Sequence, residues 1–227
     1  MCGVFTAYAS WSKVVAFSQP LTVGEDDPLI RFRVGLPIPV VVWDQALRER
    51  VVLQMQWGFP SATGRGFKHM HVRSETIHET KAFAPLFKEG KRGIVAVRTF
   101  NEGPSDEKGR TIQHVIDPHK EAPLGFAVLF DKFDTRAGEL MACVQVTVPA
   151  NQLIASLGGD VDRMPAFIEH VEWATWLGET SAPLEDVKAL LKTKEGVGWT
   201  MSREQKAAQA KKNKIKPTVS DPTPGLF

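Results

Sequence analysis

Cys2 places a thiol on the carbon next to the one bearing the amine that loss of Met1 would expose. Initiator methionine is readily removed before a small residue, so the expectation is a free 1,2-aminothiol. An α-amine titrates at about 7.7–8.0 and a thiol at about 8.5, so both keep a reactive fraction near neutrality. Such a pair traps aldehydes: the amine forms an imine, and the sulfur closes onto it as a five-membered thiazolidine. The plainer alternative is a small buried apolar residue. Cys143 lies in an apolar run and reads as core. His69 and His71 are two apart, as a strand-borne metal pair would be, but no further ligand set accompanies them, and two surface or cleft histidines are the simpler reading.

The 227 residues suit one well-filled domain. Two cysteines cannot staple a fold, which points to a reduced, cytoplasmic protein. No apolar run is long enough for a membrane helix, and no leader sequence is visible. A net charge of +2 excludes a uniformly basic nucleic-acid binder but not a locally basic one. Residues 203–216 carry six basic side chains against one acid, a local charge of +5 that leaves −3 for the rest. Further basic clusters lie at 88–98 and around Arg65, Lys68 and Arg73. The expected division is a domain over 1–200 and a basic tail over 201–227, either a solvated end or an arm for phosphates.

The elements that must carry these residues are short, because 18 glycines and 15 prolines break the chain often. Alternating or β-branched runs predict strands at 38–43 and 50–57, joined as a hairpin. Further strands are expected at 93–100, 111–116, 126–130 and 140–148, the last two around a turn at 131–138. Helices are expected at 8–17, at 151–157 behind Asn151, and at 183–191, where Glu185 and Asp186 suit the first turn. Residues 202–213 read as a polar helix or disorder. Trp173 and Trp176, at helical spacing, read as core. The sum is an α+β fold: a single compact domain with a strongly curved mixed or antiparallel sheet, open-barrel-like, and short flanking helices.

Five segments in order carry a resemblance: Met1-Cys2-Gly3, Gln56-Trp57-Gly58-Phe59-Pro60, Val72-Arg73-Ser74-Glu75-Thr76, residues 92–103 with Phe100-Asn101-Glu102, and Asp162-Arg163-Met164-Pro165. Together they resemble the SOS response-associated peptidase family, over about residues 1–177. The resemblance implies a sensor of abasic sites in single-stranded DNA, with a curved sheet and a basic cleft. Cys2 would form the thiazolidine with the ring-opened sugar. It also implies autoproteolytic peptidase character. No cofactor, no metal and no membrane partner are expected, and a monomer is favoured. Gly3 would let DNA approach closely, Trp57 would stack on a base, and Arg73 would clamp a phosphate. Glu102 would move protons during ring opening and imine formation.

Several positions depart from the family pattern. Val4 replaces an Arg, and His71 an Asn. Glu102 lacks its flanking aromatics, and Val161 stands where the family has a His before Asp-Arg. His71 is the candidate to share the missing proton transfer, since an imidazole ordinarily changes charge near neutrality. Two other readings stay open: a divergent member that binds single-stranded DNA without efficient crosslinking, and an N-terminal-nucleophile hydrolase with no DNA role, Cys2 being activated by its own amine.

Overall fold

A computed structural model describes residues 3–8, 29–118 and 124–204. Its centre is a hairpin of β3 (Pro37–Asp44) and β4 (Glu49–Trp57), whose Val-rich strands pair from Pro37–Gln56 to Asp44–Glu49. Asp44 Oδ1 closes the turn by accepting the Ala46 and Leu47 backbone N–H groups at 2.8 and 3.0 Å.

A second hairpin joins β10 (Leu124–Thr135) to β11 (Gly138–Pro149). Its turn is far tighter than expected. The strands run on through the polar residues because Phe133 packs on Phe59, with ring centroids 4.8 Å apart, and Lys132 pairs with Glu139 across the hairpin. The long strand β8 (Arg92–Glu102) pairs with β10 over its first half and meets β3 at Ile94–Val41. A parallel pairing of β11 with β4 completes the ring. The curved mixed sheet is therefore a closed five-stranded barrel, with further strands on its edges.

The second half of β8 leaves the barrel and carries β1 (Val4–Tyr8), which pairs in turn with β2 (Leu29–Arg33). β9 (His114–Asp117) lies on the other side of β8. Residues Thr200–Arg203 form a strand on β9, not the start of a helix, and Glu204 forms an ion pair with Arg31. The folded body thus reaches residue 204; the rest of the basic tail, and the helix expected at 8–17 apart from the end of β1, lie outside the described residues.

Helices are short: α1 (Ala84–Lys88), α2 (Gln152–Ala155), α3 (Trp173–Leu177) and α4 (Leu184–Ala189). Asn151 caps α2 by accepting the Ile154 N–H at 2.9 Å. Trp173 and Trp176 of α3 are fully buried, and each indole N–H is satisfied by a backbone carbonyl, of Ile168 and Gly93 respectively. Among the described residues no helix is long and apolar enough to cross a membrane.

Candidate functional site

β1 and β8 are antiparallel, with Val4 opposite Asn101 and Phe5 opposite Phe100. Continuing that register by one residue brings Gly3 opposite Glu102. Cys2 itself lies outside the described residues. Among the described residues a Cβ on Gly3 would meet nothing within 4 Å.

Glu102 is 1% exposed. Its Oε1 accepts the Gly103 N–H at 3.1 Å, and burial pushes its pKa up, against attractive partners that pull it down. The turn behind it is tight. A Cβ on Gly103 would fall 1.8 Å from the Ile112 carbonyl oxygen, so only glycine fits. Beyond that turn, Ser105 donates from its N–H and its hydroxyl to the Asp160 carboxylate, both at 3.0 Å. The loop that precedes Asp162-Arg163 therefore rests on the loop that follows Glu102. Val161, within it, is buried.

Asp162-Arg163-Met164-Pro165 is tied to Val72-Arg73-Ser74-Glu75-Thr76 as well. Arg163, on β12 (Arg163–Pro165), is buried and grips Glu75 with both terminal nitrogens, the second at 2.8 Å. That nitrogen also donates to the Thr147 carbonyl at 2.7 Å. The Arg163 hydrogen bonds hold the Glu75 carboxyl at about 2. Arg73, on β7 (His71–Arg73), is exposed, and Glu75, the acid two residues away, is committed to Arg163. Among the described residues Arg73 forms no ion pair, which leaves its guanidinium available to an anion.

The chain bends at Met70 between β6 (Phe67–His69) and β7. His69 packs edge-on against Phe83, while His71 packs edge-on against Trp57 at 6.3 Å. The two imidazoles thus belong to different strands and different aromatic neighbours. Among the described residues no group of three or more His, Cys, Asp or Glu could hold a metal ion.

Trp57 is placed where a stacking role is not open to it. The ring is 1% exposed and lies 5.0 Å from Phe5 in the core, so as folded it presents no face to a base. Among the described residues its indole N–H has no hydrogen-bond partner, and neither end of the Gln145 amide has one. Gln145 pairs with His71 in the parallel β7–β11 register, and Cys143 with Trp57 in the β4–β11 register. Strand alternation then sets Trp57, His71 and Gln145 on one face. A lone Gln in an apolar strand carries no motif, so the sequence gives no signal for Gln145. Arg163 lies in the Asp162-Arg163-Met164-Pro165 segment, but spacing does not reveal its partner. Cys143 is core, and burial raises its thiol far above the ordinary range.

The basic stretch at 88–98 is not a free patch. Arg92 is buried and donates to the carbonyls of Trp176 and Phe87. Lys91 pairs with Asp131 and Arg98 with Asp117. The exposed cations Arg65, Lys68 and Arg73 are different: none has an ion pair among the described residues.

A family model described as SOS response associated peptidase (SRAP) matches residues 1–208. Solved structures share the fold at low identity. A protein from Bordetella bronchiseptica is 18% identical, with a TM-score of 0.71 over 90% of this chain and 100% of its own. A phage-related protein from the same organism is 19% identical, with a TM-score of 0.68 over 90% and 95%. A Bacteroides thetaiotaomicron protein is 20% identical, with a TM-score of 0.68 over 90% and 92%. No curated protein matches this chain.

Proposed function

The chain belongs to the SOS response associated peptidase family, whose name ties it to DNA damage, and from that premise we propose that it senses abasic sites in single-stranded DNA through Cys2. The observation that carries the proposal is the β1–β8 pairing of Val4 with Asn101, which brings the start of β1, two residues after Cys2, beside the buried Glu102.

The chemistry needs Met1 removed. The freed α-amine attacks the aldehyde carbon of the ring-opened deoxyribose. Water leaves to give an imine, the Cys2 sulfur adds to the same carbon, and the nitrogen takes up the thiol proton. Each stage moves a proton, and Glu102 suits the task. Burial favours its neutral form, so it can donate to a departing oxygen and then accept a proton as the carboxylate. Arg73 and its neighbouring cations hold the phosphates.

The test is an adduct that survives heat and detergent, formed with single-stranded DNA carrying one abasic site. Cys2→Ala should abolish it, and undiminished yield from that variant would overturn the proposal. Mass measurement of the N-terminus checks that Met1 is gone.

A second reading has its own observation. Val161 is buried and apolar where the family carries a proton-transferring His. Normal DNA affinity with no adduct from the unaltered protein would establish a binder that does not crosslink.

A further inference from the structure

We propose that Phe67 is the surface on which this protein stacks a base of single-stranded DNA, in the place Trp57 cannot fill. The inference rests on the DNA-binding reading above and assigns one residue within it.

Phe67 is 38% exposed, whereas the other aromatics of this region, Trp57, Phe59 and Phe83, are buried. Its ring lies on a shelf of two glycines. A Cβ on Gly58 would come within 2.7 Å of Phe67 Cδ1, and one on Gly35 within 2.8 Å of Cζ. The two contacts fall at opposite ends of the ring, so the ring lies along bare backbone while more than a third of the residue stays exposed. Both glycines have positive φ, +113° and +89°, which side chains rarely adopt. No Cβ can therefore rise at either position to lift the ring away. Gly58 also fixes the shelf beside the site, because it follows Trp57 and donates its N–H to the Cys143 carbonyl at 2.8 Å.

The surroundings suit a nucleic-acid strand. Arg65 and Lys68 flank Phe67 in sequence, and Arg73 follows on β7. All three are exposed and form no ion pair among the described residues. The turn that presents Arg65 is internally bonded, with the Ser61 hydroxyl donating to the Arg65 carbonyl at 2.6 Å. A flat aromatic face among free cations matches the paired demands of a single strand, a base to cover and phosphates to neutralise.

The experiment measures non-covalent binding of the Met1-free protein to a fluorescent oligothymidylate of about 12 nucleotides, a usual site size, across a salt series. Phe67→Leu keeps an apolar side chain on the glycine shelf but removes the π face; it should weaken binding roughly 5- to 100-fold with an unchanged salt slope. Phe67→Trp should bind at least as tightly as the parent. Arg73→Ala should instead flatten the salt slope by about one phosphate contact. Equal affinity of Phe67→Leu and the parent overturns the stacking assignment and leaves the DNA reading standing. Failure of the parent to bind at low salt overturns both. If Phe67→Leu also lowers the melting temperature, Phe67→Trp decides: weak binding by a stably folded Trp variant counts against stacking.

Discussion

Arg163 and Glu75 form a two-pronged ion pair that fastens β12 to the end of β7, joining two segments 88 residues apart in sequence. Arg163 is 8% exposed at its side chain and Glu75 is 47% exposed, so one partner is committed to the core while the other is reached by water. The pair holds the loop carrying Val161 against the strand carrying His71 and Arg73.

That pair sets a pH dependence. Glu75 titrates at about 2 in the folded protein, against an ordinary value of 4.5. A depressed carboxylate adds stability above its unfolded pKa, and the contribution fades as pH falls toward the folded value. Glu75→Gln should therefore lower stability at pH 7 by about 1–2 kcal/mol, a charged hydrogen bond discounted for exposure. The gap between variant and parent should close between pH 4.5 and 2. Melting curves across pH check this; a gap independent of pH would count against the pair.

Glu102 should behave in the opposite sense. Its pKa is raised by burial, so folding favours the protonated form, and stability drains away as pH rises through the folded pKa. Glu102→Gln imitates the protonated state. It should melt higher than the parent at pH 8 and at the same temperature below pH 4. The same variant should slow adduct formation by about 10²–10⁴-fold while leaving DNA affinity nearly intact, because it cannot shuttle a proton. Equal loss of rate and affinity would remove the proton-transfer role.

His71 and Val161 form a coupled test. In the parent, His71→Asn should slow adduct formation, since no other imidazole stands at the Val161 position to take its part. Val161→His should raise the rate, and in that background His71→Asn should cost much less. Single-turnover rates for the four proteins give the coupling directly. Strict additivity would show that His71 does not stand in for the missing residue.

Trp57 should respond as a core residue. Trp57→Ala should destabilise by about 3–5 kcal/mol. Trp57→Phe keeps most of the packing on Phe5 and removes an indole N–H that has no partner, so its stability loss should be small. Its affinity for undamaged single-stranded DNA should match the parent. A large affinity loss in a stably folded Trp57→Phe protein would return the stacking role to this residue.

Local pattern determined much of this protein. The β-branched run before Asp44 and the alternation after Glu49 specify a hairpin whatever surrounds them, and Asn151 caps its helix through a bond three residues long. The curved sheet was legible for the same reason. The order of five short segments pointed to the family that the match over residues 1–208 bears out. Tertiary structure decided the rest, because burial and ion pairing depend on residues far apart in the chain. Arg92 looks from sequence like a surface cation and Trp57 serves a stack or a core equally well, yet Arg92 is buried against Phe87 and Trp176 and Trp57 lies in the core beside Phe5. Glu75 sits two residues from Arg73, but Arg163 takes it and leaves Arg73 open. Phe67 is one residue of a Gly-rich segment until the fold brings Gly35 and Gly58, from two other turns, against its ring. Cys2 announces a chemistry from its position alone; the pairing that brings the start of β1 beside Glu102 exists only once β1 has met β8.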